Sequence, residues 1–322
     1  MSKRPNVVAA SRVDELSAPV LEGLRRTPKE LSPVWFYDEY GSTLFDSICE
    51  LPEYYLTRTE LAIMQAHAAE MAQIIGPQAA LIEFGSGTSL KTRLLLDQLV
   101  APVAYVPVDI AREHLIEAAN TLGRDYPAVR IYPVCADFTQ PFDLPKPAQA
   151  AQRRVVYFPG STLGNFSRDQ ARQVLERMRA IVGAEGAVLI GIDLKKDPDI
   201  LRTAYNDRAG VTAQFNLNSL RHINRELGTD FDLRGFRHEA VWNEAQSRIE
   251  MHLVSTRDQT VTVASTPIRF AQGEHLRTEF CHKYTLESFS ALAASARLAA
   301  TRIWMDAENK FSVQLLEPTR LQ

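Results

Sequence analysis

The stretch Leu81-Ile-Glu-Phe-Gly-Ser-Gly-Thr-Ser-Leu-Lys91 decides the fold of this 322-residue chain. An apolar run suited to a buried strand stops at Glu83-Phe84, turns through Gly85, Ser86 and Gly87, and resumes as a helix rich in Leu and Arg. Glycines at such a handover allow positive φ and close approach of a ligand to the backbone, and the helix that follows offers unpaired N–H groups at its start. The third glycine of the dinucleotide pattern is absent, which points away from NAD and towards another nucleotide.

Outward from this corner the pattern alternates between helix and strand. Ahead of it a helix is expected over 59–75, with Thr57 or Thr59 as its cap. After it come a helix over 90–99, a strand over 103–108 ending in Asp109, a helix to Gly123, and a strand over 129–135 leading to Asp137-Phe138. A fourth strand from Arg154 breaks into the loop Gly160-Ser-Thr-Leu-Gly-Asn165. A helix over 169–182 and a strand over 187–193 complete five β-α units, which implies a parallel sheet with helices on both faces.

Ligands of such sheets lie at the carboxyl ends of the strands, where Gly85, Asp109, Asp137 and Asn165 all fall. Asp109 stands where an acid accepts hydrogen bonds from both ribose hydroxyls, and it could equally cap the helix that starts near Ala111. Asp137 followed by an aromatic can hold the amino group of adenine and cover its ring. No phosphate-binding Gly-x-x-x-x-Gly-Lys-Ser/Thr loop occurs, so a nucleoside cofactor without a phosphate chain, S-adenosylmethionine, fits better than ATP.

The flanks differ in character. A helix is expected over 13–26, and then Trp35, Phe36, Tyr37, Tyr40 and Phe45 crowd beside Pro33 and Gly41, with Tyr54 and Tyr55 close behind. These aromatics either pack the N-terminal segment onto the rest or form lid loops that close over a small substrate. Beyond Asp193 two helices are expected over 198–227, a short helix within 230–236, strands over 240–242, 248–256, 260–268 and 276–284, a helix over 286–294 and a last strand over 310–316. Strand alternation sets Glu279 and Cys281 on one face and Phe280 and His282 on the other, or else this stretch is an exposed polar edge. The expected division is an N-terminal helix and lid over 1–60, a cofactor-binding core over 61–195, a smaller α+β substrate lobe over 196–285, and a return to the core sheet over 286–322.

Net charge is −3 and the basic residues are scattered, so neither nucleic acid nor an anionic membrane is an expected partner. Cys49, Cys135 and Cys281 show no CxxC spacing, which suits a reducing compartment, the cytoplasm. The N-terminal MSKRPNVVAASRVDEL lacks the apolar region of a signal peptide, and no apolar run approaches the ~18 residues needed to span a bilayer. No metal-ligand spacing is present, and a monomer acting on a small molecule is expected.

Beyond the corner, Glu83 to Arg93, several segments occur in order: Trp35-Phe-Tyr-Asp38, Leu51-Pro-Glu-Tyr-Tyr55, Thr57-Arg-Thr-Glu60, Gly160 to Asn165, Ala209-Gly-Val-Thr-Ala213, Asn224-Arg-Glu-Leu227 and Arg248-Ile-Glu-Met251. Together they closely resemble the histidine-specific Nα-methyltransferases of the ergothioneine pathway, over almost the whole chain from Leu24. The resemblance implies a Rossmann-like class I methyltransferase fold and trimethylation of the α-amino group of L-histidine to hercynine by S-adenosylmethionine, with no metal.

Residue by residue, it implies that Gly85, Ser86, Gly87, Lys91, Asp109, Asp137 and Phe138 surround the cofactor. Tyr54, Gly160, Asn165 and Tyr205 would hold the amino acid's amino and carboxylate ends, with Tyr37 and Phe45 closing over it. Met251, Glu279 and Cys281 would meet the imidazole, and Tyr37 or Tyr54 would relay the proton. Cys281 stands where the family carries a serine, which leaves room for another amino acid or a histidine derivative as substrate. A non-catalytic S-adenosylmethionine-binding protein is the alternative of another class.

Overall fold

A computed structural model describes residues 7–87 and 90–319, so part of the N-terminal segment and Thr88-Ser89 of the glycine turn lie outside the described residues. In chain order the elements are α1 (Val7–Arg25), β1 (Lys29–Glu30), a 3-10 turn (Pro33–Phe36), α2 (Glu39–Glu50), α3 (Tyr55–Ile75), β2 (Ala79–Phe84), α4 (Leu90–Leu96), β3 (Ala104–Asp109) and α5 (Arg112–Asp125). There follow β4 (Val134–Cys135), α6 (Lys146–Gln149), β5 (Arg153–Phe158), α7 (Arg168–Val182), β6 (Ala187–Asp193), α8 (Pro198–Ala204) and α9 (Val211–Leu227). The last are β7 (Phe236–Asn243), β8 (Arg248–Ser255), β9 (Gln259–Val263), β10 (Thr266–Phe270), β11 (His275–His282), α10 (Leu286–Ser295), β12 (Leu298–Met305) and β13 (Phe311–Pro318). The chain forms two compact units: residues through Tyr55 with Lys196–Cys281, and Leu56–Lys195 with the chain from His282 onward.

The second unit holds a seven-stranded sheet in the order β12-β13-β6-β5-β2-β3-β4. The strands from β4 to β6 pair in parallel, while β13 and β12 run antiparallel at the other edge. Central parallel strands are covered on both faces, so β2 and β6 are buried at every position and are predominantly apolar, with Glu83 and Asp193 as their buried acids. One face packs Ile82, Phe84, Val156 and Ile190 against α7 and α10, and the other packs Leu81, Tyr105, Tyr157 and Leu189 against α3 and α4. Each fully buried side chain of this kind contributes about 1.5–3 kcal/mol, against about 0–1 kcal/mol for exposed ion pairs such as Arg202–Asp199. Apolar burial therefore outweighs surface ion pairs in holding this unit together. Ser167 starts α7 with a full capping box to Gln170.

The first unit carries the sheet β1-β11-β8-β7 and the hairpin β9-β10, with α1 and α9 burying Val20, Leu24, Leu220 and Ile223 against Leu253, Ile268 and Leu276. Asp38 fastens the aromatic segment to α9. Its carboxylate caps α2 at the Gly41 N–H (2.8 Å) and accepts from Asn218 Nδ2 (2.7 Å) and Arg225 Nη1 (2.7 Å). Burial opposes that charge, yet the hydrogen bonds from Gly41, Arg225 and Asn218 hold the Asp38 pKa below its usual value. Gly41 is a packing residue, because a Cβ there would overlap the Phe36 carbonyl and lie 2.9 Å from Asn218 Nδ2.

Several expectations are corrected. The aromatic stretch over 31–45 is not a set of loops: Pro33 opens a 3-10 turn and Gly41 lies inside α2. Helix α3 starts at Tyr55, so Thr57 and Thr59 sit within its first turns and do not cap it. The strand expected over 129–135 shortens to β4, with one further bridge from Ile131 to Tyr105, because it is the sheet's edge. The strand expected over 260–268 is the hairpin β9-β10, turning at Ala264-Ser265, both at positive φ. Strand β11 is no exposed edge: it lies inside its sheet, with Glu279 and Cys281 buried. No helix among the described residues is long and apolar enough to cross a membrane.

Candidate active site

In the sheet unit the four strand-end positions share one edge. Gly85 and Gly87 both adopt positive φ, +68° and +45°, the left-handed region that favours glycine. The glycines thus meet a requirement of the backbone conformation of the turn. Gly85 N–H donates to the Val108 carbonyl (2.9 Å), which ties the turn to β3. Ser86 is buried beside it.

Asp109 ends β3 half-buried, and its Oδ1 accepts from the Ala111 N–H (2.9 Å), two residues on. The contact is an Asx turn rather than a helix cap, since α5 has no side-chain cap, and it leaves the second carboxylate oxygen for another donor. Asp137 is exposed and accepts from the backbone N–H and hydroxyl of Thr139 (2.8 and 2.7 Å). Phe138 stacks on Phe84 with ring centroids 5.1 Å apart and meets Phe158 edge-on at 5.4 Å.

Lys91, in the first turn of α4, pairs with Glu60 of α3, which is fully buried. The Glu60 carboxylate also accepts from the Gly160 N–H, 2.9 Å from Oε2 and 3.1 Å from Oε1. One carboxylate thus joins the glycine corner to the loop after β5. Gly160 and Ser161 are both left-handed there, at φ +79° and +58°, and Asn165 lies in the short 3-10 turn that follows. Beneath the corner Glu83 is fully buried and accepts from Thr92 Oγ1 (2.6 Å) and the Tyr105 hydroxyl. Burial pushes its pKa up to about 7. At the end of β6, Lys283 and Asp193 form a fully buried ion pair (2.8 Å).

The other unit gathers Tyr37, Phe45, Tyr54 and Tyr205 in one chain of rings. Centroid distances are 5.9 Å from Tyr37 to Phe45, 6.4 Å from Phe45 to Tyr54 and 6.1 Å from Tyr54 to Tyr205. Phe215 of α9 lies against both Tyr37 (5.7 Å) and Phe45 (5.9 Å), and nothing in its local sequence set it apart from an ordinary core residue. Tyr54 and Tyr205 are buried while Tyr37 is 43% exposed.

Met251, Glu279 and Cys281 are all buried on β8 and β11, 2%, 9% and 4% exposed. Asn216 of α9 supports this region. Its Nδ2 donates to the His252 carbonyl (3.0 Å) and to His238 Nδ1 (2.8 Å), and its Oδ1 accepts from Thr278 Oγ1 (2.7 Å). The Thr278 hydroxyl also lies 3.0 Å from the Met251 carbonyl, so its single proton is shared between that oxygen and Asn216 Oδ1, and His238 Nε2 donates to the Tyr205 carbonyl (2.8 Å). Burial lowers the His238 pKa, so the ring is neutral, with the tautomer set by these two bonds. Asp207, held below its usual pKa against burial by Thr212 and Val211, accepts their N–H groups (2.8 and 2.9 Å) and starts α9 just after Tyr205.

Residues 16–318 match the model of the histidine-specific, S-adenosylmethionine-dependent methyltransferases. The chain belongs to this family. It is 41% identical to a histidine N-alpha-methyltransferase of Mycolicibacterium smegmatis, over 96% of this chain and 97% of that protein. A histidine N-alpha-methyltransferase of Mycobacterium tuberculosis is also 41% identical, over 92% of each chain. The chain is 32% identical to ergothioneine biosynthesis protein 1 of Neurospora crassa, over 91% of its own length and 34% of that larger protein. Among solved structures, the mitomycin 7-O-methyltransferase shares the fold with a TM-score of 0.50 at 11% identity, covering 97% of this chain and 68% of that one. The Rossmann-like class I methyltransferase sheet expected for this family is the one observed.

Proposed function

We propose that this family member transfers three methyl groups from S-adenosylmethionine to the α-amino group of L-histidine, giving hercynine for ergothioneine biosynthesis. The observation that carries this reading is the 41% identity that runs the length of both this chain and the mycobacterial enzyme. The residues of the sheet unit fit the cofactor. The positive-φ turn at Gly85 to Gly87 suits the methionine end with Lys91, the second oxygen of Asp109 suits the ribose hydroxyls, and Asp137 with Phe138 suits adenine.

When bound, S-adenosylmethionine supplies a sulfonium-activated methyl group that an amine lone pair can take in line. The chain's own part is to bind, orient and shield that amine. Tyr54, Gly160, Asn165 and Tyr205 would hold the amino and carboxylate groups. The clustered rings of Tyr37, Phe45 and Tyr54 would supply aromatic surface beside a nitrogen that ends as a quaternary cation. Tyr37 or Tyr54 would pass the amine proton to water before each transfer. Glu279 would accept the imidazole N–H, with Met251 and Cys281 against the ring, in the substrate lobe over 196–285. The enzyme works as a monomer in the cytoplasm, in keeping with three cysteines that form no disulfide.

A second reading, α-N-methylation of another amino acid or a histidine derivative, rests on the buried Cys281, since a thiol is a weaker donor and acceptor than the serine of the family pattern. Incubating the purified protein with S-adenosylmethionine and an equal mixture of the twenty amino acids, with products read by mass spectrometry, decides between them. Three added methyl groups on histidine alone are expected; methylation of a different amino acid would overturn the histidine reading.

A further inference from the structure

Within the motif Thr57-Arg-Thr-Glu60, the Glu60 carboxylate is tightly held. It is fully buried, pairs with Lys91, and accepts the Gly160 N–H with both oxygens. Its space is cut into the neighbouring strand: at Gly191 of β6 a Cβ would run into the Glu60 carboxylate, so this central strand carries a glycine where the carboxylate sits. From the other side, a Cβ at Gly160 would lie 3.8 Å from Lys91 Nζ. Glu83 lies in the same buried group, where Lys91 and Glu60 act on its charge in opposite directions. Under the turn that opens the cofactor corner, the Lys91 ammonium is therefore compensated by the buried Glu60 carboxylate.

Resting on the cofactor reading above, we propose that Glu60 is a positioning residue whose buried charge makes the corner favour the sulfonium donor over its neutral thioether product. The donor and the product differ by one positive charge and one methyl group, and they share the same adenosine and amino-acid groups. A fixed negative charge close to the corner lowers the free energy of the first relative to the second. The carboxylate keeps Lys91 from acting as an uncompensated cation against the sulfonium, and it holds the Gly160 loop at the same time.

The test is isothermal titration of the full chain with S-adenosylmethionine and with S-adenosylhomocysteine, for the wild type, Glu60→Gln and Lys91→Met. Only the ratio of the two dissociation constants within each variant is compared. A purely structural role lowers the competent fraction and weakens both ligands alike, so it leaves that ratio unmoved. Removing one partly screened unit charge raises the donor-to-product ratio in Glu60→Gln by about threefold or more, and Lys91→Met lowers it by a similar factor. A ratio within about threefold of wild type in both variants overturns the proposal. If Glu60→Gln does not fold, the Lys91→Met ratio alone supports or overturns it. Failure of the wild type to bind either ligand would instead remove the cofactor reading, and the proposal with it.

Discussion

Asn216 is the side chain whose removal most sharply tests how the lobe unit is held together. It is completely buried and makes hydrogen bonds to three other elements: to the His252 carbonyl, His238 Nδ1 and Thr278 Oγ1. Each is worth about 0.5–1.5 kcal/mol net, and Asn216→Ala also leaves buried partners without their donor, so a loss of about 3–5 kcal/mol is expected. Because the network reaches the Tyr205 and Met251 carbonyls, kcat/KM for the amino acid should fall about tenfold through misplacement, while cofactor affinity holds. Asn216→Asp separates geometry from volume. A carboxylate accepts from Thr278 but cannot donate to His238, whose Nδ1 must then carry a proton to keep its bond.

The pH dependence reverses accordingly. In the wild type, burial lowers the folded pKa of His238, so the unfolded chain binds the extra proton and stability falls as pH drops through about 6.5. In Asn216→Asp the folded pKa is raised, so the bond stabilises below the unfolded value and is lost as pH rises through the folded one. Urea unfolding of all three proteins at acid, neutral and alkaline pH reads both effects. An Asn216→Ala variant within about 1 kcal/mol of wild type, or an Asn216→Asp variant with the wild-type pH trend, would refute this reasoning.

Gly41→Ala should cost about 2 kcal/mol or more, because the new methyl group must displace Phe36 or α9; urea midpoints measure it, and the Tyr37 and Phe45 rings should move with the displaced segment. Asp38 has a depressed pKa, so its stabilisation is present above the ordinary carboxylate range and lost as pH falls through the folded value. Asp38→Asn should therefore be less stable than wild type at neutral pH and converge on it in acid, as followed by circular dichroism. Glu279→Ala should lower kcat/KM for histidine by about 10- to 200-fold, the worth of one charge-assisted hydrogen bond, with cofactor affinity unchanged by titration calorimetry.

The sheet was legible where burial on two faces writes a predominantly apolar run, as in β2, β3, β5 and β6. It was illegible at the edges. Strand β12 buries only Leu298 and Trp304 and shows neither alternation nor a run, and β4 is two residues long. The β9-β10 turn carries Ala264 and Ser265 at positive φ, without the Gly or Asn that signals a hairpin. Pro33 and Gly41 read as loop residues, yet one starts a helical turn and the other is demanded inside a helix by the close approach of the Phe36 carbonyl.

The candidate site divides the same way. Gly85, Asp109 and Asp137 follow from strand ends, because topology alone puts them on one edge. Asn216, His238 and Thr278 are joined across 22 and 62 residues of chain, and no local pattern announces such a bond. Glu60 had one usable signal: Gly191, a glycine in a central strand, marks a close approach by something, and here it is that carboxylate.

The most direct measurement is nuclear magnetic resonance of the product formed from L-histidine and methyl-labelled S-adenosylmethionine. A single trimethylammonium signal correlated with the α-carbon, with unchanged imidazole nitrogens, is the expected result. Labelled methyl on a ring nitrogen, or no label on histidine at all, would contradict it.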